Sequence, residues 1–470
     1  MAKKVKPTGA LRFELPFDAE PPRLTSDAAG LPRALQRSAA SYDMDVTVLD
    51  AADGRLLREG VVLAHRVVGG VGEWYLWAPS WAPPLPAEQV LPMGRNGDIP
   101  ERFALLVTPF LRHETVGPLA MLACRRDEWA LRGADGGVAA IVRDERVRIR
   151  KADDVHSRYR EVTIEPTDVL TGQQREYLIS AARAVGATVV PDFPTLRQRL
   201  GTPATGLSSL PKPRLLERDA SLEEFVTTIF AEHLTAIVRA DLDRRAKASA
   251  DLGLLNDRLW AFGRALRGLA PVLEPAWREQ LEATLEGLPF ESPTDIEHPT
   301  IAVIDALVAG ARAPRLGDLS QSHAAQLLFE RAQQATYILA ERCRVLTDDA
   351  PEEAWQAALR AAQQLEVAAT VLAPLLPKSI GKLIHRLDDL LHELGQCTAN
   401  AFSGEPELDG LSPAQAYRLG LDSERGRGAV QARRRQFVEE WPARFREARD
   451  LLAKAHKRQQ KRYSKQRSTT

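Results

Sequence analysis

Residues 201–219, GTPATGLSSLPKPRLLERD, decide the fold, because the spacing of apolar residues changes across this stretch. Its three prolines disfavour both helix interiors and central strands, and residues 208–213 are typical of a linker. Before this joint, apolar residues come in short runs bounded by glycine or aspartate, as in antiparallel strands. After it, they recur at steps of three and four, as on amphipathic helices. The sequence therefore predicts a sheet region followed by a helical region.

The region before the joint predicts strands at 46–49, 61–68, 74–78, 121–131, 138–142 and 159–165. Glycine clusters at 69–72 and 133–137 predict hairpin turns, since glycine accepts positive φ. Residues 171–186 predict one helix that ends at Gly186.

The region after the joint predicts long helices. Ser221 and Glu224 have the spacing of a capping box, which places a helix start there. A helix over 354–372, two prolines, a restart at Ser379 and a stop at Gly395 predict an antiparallel pair. The polar segment 290–299 divides the helices into two bundles. The segment after Leu452 predicts a helix that frays into solvent.

Composition excludes several classes of protein. The 470 residues are 44% hydrophobic, and 63 basic side chains balance 63 acidic ones, so no overall charge attracts nucleic acid or an anionic membrane. From Asp219 to Asp450 acidic residues outnumber basic ones, whereas every charged residue after Leu452 is basic. Three cysteines without a C-x-x-C spacing favour a reducing cytoplasm over a zinc or redox site. No apolar stretch is long enough to span a bilayer, so we expect a cytoplasmic protein.

Two sets of motifs resemble known families. In the sheet region they are Leu49-Asp50-Ala51, residues 56–66, residues 74–79, Arg125-Arg126, Asp144-Glu145-Arg146-Val147, and residues 159–165. In the helical region they are residues 266–273, 372–376, 391–395, and Tyr417-Arg418-Leu419-Gly420 leading to Trp441. The first set resembles the CYTH family of triphosphate tunnel metalloenzymes, and the second resembles the CHAD domain. Their order is that of bacterial CYTH and CHAD tandem proteins, although most motif positions have changed.

This resemblance implies an α+β protein: an antiparallel CYTH-like β-barrel followed by an all-α, CHAD-like pair of antiparallel helical bundles. The expected boundaries are 1–203 for the barrel, 204–219 for the linker, 220–452 for the helical domain, split near 290–319, and 453–470 for a basic tail.

The family's chemistry requires residues that this chain mostly lacks. CYTH enzymes bind Mg²⁺ or Mn²⁺ through glutamates of an E-x-E-x-K strand and of the last strand. The aligned first strand reads Thr8-Gly9-Ala10-Leu11-Arg12, without carboxylates. On the last strand, where the family has three alternating glutamates, Thr163 replaces the middle one. The family's L-R-x-R motif reads Leu63-Ala64-His65-Arg66 here, so Ala64 replaces its first arginine and His65 occupies its variable position. Trp77 replaces the lysine of the family's W-x-L-K motif.

The remaining candidates form two small sets. The phosphate-binding candidates are Arg12, Arg66, Arg125 and Arg126, and the weak metal candidates are Asp144, Glu161 and Glu165. The alternative for these residues is that the arginines simply pair with the carboxylates. We expect no catalytic residue and no cofactor, with Mg²⁺ or Mn²⁺ only if residual activity exists.

The basic stripes of the CHAD domain are also reduced. The two family histidines align near Gly253 and Gln356, and the second stripe reads Leu359, Gln363, Gln364 and Glu366. His385 and His392 lie seven residues apart on one predicted helix, where exposed or capping roles are more common than metal binding. The basic tail either solubilises the chain or binds polyanions.

Three functions remain open. The first is a catalytically silent accessory or scaffold protein linked to inorganic polyphosphate metabolism, with polyphosphate or another protein as partner and no membrane or specific nucleic acid. The second is a module that binds polyphosphate or a nucleotide through the arginines and the tail, which would place the protein on polyphosphate granules. The third is a residual metal-dependent triphosphatase. The sequence does not determine the oligomeric state.

Overall fold

The computed structural model describes residues 9–94, 97–151, 154–167, 169–217, 219–248, 251–289, 292, 295–398 and 412–467. The side chains of residues 423 and 460–467 are excluded from the description. Thr8, parts of the 290–299 segment and the end of the basic tail therefore lie outside the described residues.

Ten strands form one antiparallel sheet. Their bounds are β1 Leu11–Leu15, β2 Arg33–Gln36, β3 Tyr42–Asp50, β4 Val62–Val68, β5 Val71–Trp77, β6 Glu88–Pro92, β7 Gly117–Arg132, β8 Val138–Lys151, β9 Asp154–Pro166 and β10 Thr188–Val190. The order across the sheet is β10-β1-β9-β8-β7-β3-β4-β5-β6, and β2 pairs with the end of β7. The predicted α+β class, with an antiparallel sheet before a helical region, is confirmed.

Closure of the sheet into a barrel is not shown. Within the described strands, β10 and β6 each pair with one neighbour and form the two ends of the strand order. The sheet is therefore open between these two strands.

Alternating side chains give the sheet two packed faces. On β1, Leu11, Phe13 and Leu15 are buried in a cluster that includes Leu178 of the helix described below. On β8, Val147 and Ile149 lie on the opposite face and belong to a second cluster. Since side chains of a strand alternate between faces, both sides of the sheet carry apolar packing. The charged side chains of the candidate site lie on the same two faces, as described below.

The six strands predicted from the sequence are confirmed in β3, β4, β5, β7, β8 and β9, although Val61 and Ala78 lie one residue outside β4 and β5. Both predicted hairpin turns are confirmed too, with φ of 56° at Gly69, 80° at Gly70 and 80° at Gly136. Strands β1, β2, β6 and β10 lie outside these six predicted ranges, because each has only three to five residues. The start of β1 is indicated only by the family alignment of residues 8–12, although Leu11–Leu15 alternates between apolar and charged residues.

Four helices accompany the sheet: α1 Arg55–Arg58, α2 Glu101–Leu111, α3 Gly172–Ala184 and α4 Leu196–Leu200. Buried Asp50 accepts hydrogen bonds from the backbone N–H groups of Leu56 and Leu57, and so fixes the start of α1. The predicted helix at 171–186 is α3, which begins with a capping box at Thr171.

The helical region contains eight α-helices among the described residues. They are α5 Leu222–Lys247, α6 Gly253–Leu269, α7 Pro275–Glu286, α8 Glu297–Arg312, α9 Ala324–Arg344, α10 Glu352–Leu372, α11 Pro377–Thr398 and α12 Pro413–Arg467. The capping box of Ser221 and Glu224 is confirmed at the start of α5. Helix α10 contacts α6, α9 and α11, and α11 contacts α12. The predicted stop at Gly395 is wrong, since α11 continues to Thr398.

The chain divides into two compact units. The first comprises the described residues up to Leu210 together with the part of α5 from Val238 onward. Buried Glu59 holds the end of the first unit, accepting hydrogen bonds from Ser209 Oγ and the N–H of Leu210, each at 3.0 Å. The second unit comprises the part from Pro211 to Ile237 and the part from Asp251 onward. None of the helices in the described ranges combines the length and the hydrophobicity of a membrane span.

Candidate functional site

The register of the strands places the candidate residues on two opposite faces of the sheet. Side chains directly opposite one another on neighbouring strands point to the same face. Glu14, Glu161, Glu145, Arg126 and Tyr42 form one such row across β1, β9, β8, β7 and β3. We call the side that carries this row the charged face and the other side the reverse face.

Five of the seven candidates lie on the charged face: Arg12, Arg66, Arg126, Glu161 and Glu165. Arg125 and Asp144 each precede a residue of the row by one position, so they lie on the reverse face. The structure therefore does not bring Asp144 together with Glu161 and Glu165.

Arg126 is paired across the strands with Glu145. Its Nε donates to Glu145 Oε1 at 2.7 Å, and its guanidinium lies 5.1 Å from the centre of the Tyr42 ring. Burial opposes the charged guanidinium, but Glu145 outweighs burial and raises the pKa of Arg126 above its ordinary value. The charge of Arg126 is therefore largely satisfied within the protein.

Arg199 of α4 is a site residue that the sequence analysis missed. It contacts Glu14 and donates from Nη2 to Glu161 Oε1 at 2.8 Å, while its guanidinium lies 4.2 Å from the centre of the Tyr159 ring. Its neighbour Leu200 is fully buried, which fixes α4 over the charged face. One arginine thus neutralises carboxylates from two strands.

The environment of Glu161 has two opposing effects. Burial raises the pKa of this carboxyl, whereas the hydrogen bond and charge of Arg199 lower it, and the net direction is upward. Burial, followed by the charge of Glu145, also raises the pKa of the nearby Cys124 thiol to about 12. The thiol therefore stays protonated near neutral pH and is a poor nucleophile.

A further ionic network surrounds Arg143 of β8. Its Nε donates to buried Glu128 at 3.0 Å, and its Nη2 lies 3.3 Å from Glu165. Arg37 contacts the other oxygen of Glu128. The candidate carboxylate Glu165 is thus next to a cation, although its side chain is 56% exposed.

Arg66 and Arg12 lie toward the two ends of the sheet. Arg66 pairs with Glu73 on β5 and lies 4.2 Å from the centre of the Tyr75 ring. Arg12 donates to the carbonyl oxygen of Pro191 at 3.1 Å and lies 3.9 Å from Asp192. Each of these two arginines thus already has a partner within the protein.

The residues on the charged face do not fit a magnesium or manganese site. Such ions require several carboxylate or carbonyl oxygens at one point. Here Glu14, Glu145, Glu161 and Glu165 each contact an arginine instead. Within the described ranges, no three His, Cys, Asp or Glu side chains are grouped closely enough to hold a metal ion.

The reverse-face candidates have local partners. Buried Asp144 accepts two hydrogen bonds from Arg160, at 2.8 Å and 2.5 Å, in a bidentate pair. Arg160 also donates to the carbonyl oxygen of Ala19 at 2.5 Å. Exposed Arg125 donates to Asp127 at 3.2 Å.

In the helical unit, Glu366, which the sequence analysis aligned with a basic stripe of another family, is buried. It contacts Arg264 of α6 and accepts a hydrogen bond from Thr370 Oγ1 at 2.9 Å. This part of α10 therefore faces a neighbouring helix rather than an anion in solvent.

A basic groove that the sequence analysis did not predict lies between α11 and α12. It has a volume of about 420 Å³, and its lining includes the cations Lys382, Arg386 and Lys454 together with His385. Glu447 lies 3.5 Å from Arg386 and lines the same groove with Asp450. The four-residue spacing of Lys382 and Arg386 was the signal that these side chains share one helix face.

Comparisons with known proteins do not assign the chain to a family. No family model matches it, and no curated protein matches it. One matching solved structure is that of a "putative adenylate cyclase" from Bacillus halodurans. It is 10% identical, the match covers 34% of this chain and 82% of that chain, and the TM-score is 0.20. At this TM-score the similarity establishes neither the fold nor the function of this chain.

Proposed function

We propose that this chain is a catalytically silent accessory or scaffold protein in inorganic polyphosphate metabolism. In this proposal, the sheet unit derives from a CYTH-like barrel and the helical unit from CHAD-like bundles. The polyphosphate link depends on the motif resemblance.

The observation that carries the silent assignment is the internal neutralisation of the charged face. Arg66, Arg126, Arg143 and Arg199 each contact at least one glutamate. To bind triphosphate, these arginines would have to exchange existing partners for the ligand, so the net gain in free energy is small. To bind a metal ion, the glutamates would have to release the same arginines. Both halves of metal-assisted phosphoryl transfer are thus opposed by contacts already present.

The test is to incubate the purified protein with tripolyphosphate and Mg²⁺ or Mn²⁺, and to measure phosphate release. We expect no turnover above that of a heat-denatured sample. Turnover that Glu161→Ala abolishes would show a working metal site and refute the proposal. Glu176→Ala, which changes an exposed glutamate on α3, is the matched control.

A second candidate function is polyanion binding by the groove between α11 and α12. Four cationic or titratable side chains line one 420 Å³ groove there. Lys and Arg side chains release condensed counterions when they neutralise phosphates, which favours binding at low salt. Such binding would place the protein on polyphosphate deposits.

This second function is tested by titrating polyphosphate into the wild type and a Lys382→Ala, Arg386→Ala double variant. We expect wild-type affinity to fall with added salt and the double variant to bind more weakly. Arg418→Ala with Arg425→Ala removes two exposed cations of α12 and is the matched control. Equal losses in both double variants would show that only net charge matters and would refute a groove site.

A further inference from the structure

A pocket on the reverse face contains opposite charges on facing walls. Its volume is about 540 Å³. Asp43 and Asp45 of β3 lie on one side, Arg146 and Arg148 of β8 lie on the other, and Ala123 of β7 lies between them. This pocket is on the opposite side of the sheet from the ion pairs of the charged face.

The strand register explains the separation of the two walls. Asp45, Ala123 and Arg148 form one cross-strand row, while Asp43, Arg125 and Arg146 form the next row of the same face. Strands β3 and β8 are separated by β7, so the backbones of the two walls are about 10 Å apart, twice the usual strand spacing. Because Ala123 has a small side chain, the middle of its row is left open.

Two other charged residues line this pocket, and both are already paired. Arg125 pairs with Asp127 at 3.2 Å, and Asp18 pairs with Arg158 at 3.3 Å. In the part of the chain that the structure describes, Asp43 and Asp45 form no side-chain hydrogen bond or ion pair. The pocket thus has two carboxylates available on one wall.

The arginines on the opposite wall are likewise available to a ligand. The Nε atom of Arg146 is shielded from solvent and, among the described residues, has no hydrogen-bond partner. Arg148 lies over the Phe17 ring at 5.2 Å, and Arg158 lies over the same ring at 5.5 Å. The ring thus restrains Arg148 at the pocket without neutralising its charge.

We propose that this pocket binds a short zwitterionic peptide, with its amino group at Asp43 and Asp45 and its carboxylate at Arg146 and Arg148. A polyanion would be repelled by the aspartates, and a polycation by the arginines. Guanidinium groups bind carboxylates with good geometry, and carboxylates accept hydrogen bonds from an ammonium group. Since an extended residue spans about 3.5 Å, two or three residues match the distance between the walls.

Three peptides test this assignment: triglycine, N-acetyl-triglycine and triglycine amide. Calorimetric titration at low ionic strength should show the tightest binding for triglycine. We expect each capped peptide to bind about tenfold or more weakly, since each loses a charged hydrogen-bonding group. Equal affinities for the three peptides, or no binding by any of them, would refute the proposal.

Two variants identify which end of the peptide binds to which wall. With Asp45→Asn, triglycine and its acetylated form should differ less in affinity than they do with the wild type. With Arg148→Gln, triglycine and its amide should differ less. Arg33→Gln changes an exposed arginine on β2 and should leave all three affinities unchanged. Unchanged discrimination in both pocket variants would contradict the proposed orientation, and the result does not depend on the function proposed for the charged face.

Discussion

The two faces of the sheet contain similar charged residues in different arrangements. On the charged face, Arg126, Arg199 and Arg143 contact glutamates from neighbouring strands. On the reverse face, Asp144 and Arg160 form a buried pair, whereas Asp45 and Arg148 lie on separate walls of a pocket. The difference shows that residue type alone does not define an anion site. Such a site also requires that the arginines lack carboxylate partners within the protein.

The largest predicted effect concerns the buried pair of the reverse face. Arg160→Met leaves Asp144 buried without its cation, so we expect a loss of about 3–5 kcal/mol in the free energy of unfolding. Urea denaturation measures this loss. Replacing both residues, Asp144→Leu with Arg160→Met, should recover much of it, because no unpaired charge remains.

The matched control is Arg125→Ala, which removes the cation of an exposed pair on the same face. Surface pairs contribute about 0–1 kcal/mol, so this variant should remain close to the wild type. A loss as large as that of Arg160→Met would show that burial does not distinguish the two pairs.

The charged face should show an intermediate effect. Arg199→Ala leaves Glu14 and Glu161 without their shared partner, so we expect a loss of about 1–3 kcal/mol, again by urea denaturation. Arg183→Ala removes an exposed arginine from α3 and is the control. Equal stability of the two variants would mean that Arg199 does not hold the charged face together.

The smallest predicted effect on stability is a pH dependence. Burial, opposed by Arg199, raises the pKa of Glu161 above its ordinary value of 4.5. The folded state then binds the proton more tightly than the unfolded state, so this residue's contribution to stability falls as pH rises through the folded-state pKa. Glu161→Gln removes that contribution. The stability difference, wild type minus variant, should therefore decrease with pH above 4.5, and a difference that increases would contradict the assignment.

The sequence predicted six strands, two glycine hairpins and the capped start of α5, because those signals come from neighbouring residues. Alternation along β7 and the spacing of Ser221 and Glu224 are local patterns of this kind. The ion pairs are not local. Arg126 and Glu145 lie 19 positions apart, and Arg199 and Glu14 lie 185 apart. Their contact depends on strand register and on where α4 packs, neither of which is readable from residue spacing.

The candidate residues illustrate the same limit. The sequence identified Glu161 and Arg126 but not Arg199, whose helix is only five residues long and lies close to the joint. The capping-box spacing of Thr195 and Gln198 was the available signal for that helix. The sequence also grouped Asp144 with Glu161 as metal candidates. Asp144 lies one position before Glu145 on β8, and a shift of one residue along a strand moves the side chain to the other face.

The most direct test of the central claim is a tripolyphosphate titration of the wild type, Glu145→Gln and an Arg126→Gln, Glu145→Gln double variant at low ionic strength. If internal pairing neutralises the charged face, the double variant, which removes both charges of the pair and keeps the net charge, should bind like the wild type. Glu145→Gln frees Arg126, so it should bind about tenfold more tightly, as expected for one additional charged contact. Weaker binding by the double variant, with no gain for Glu145→Gln, would show that Arg126 already binds phosphate and would contradict the account.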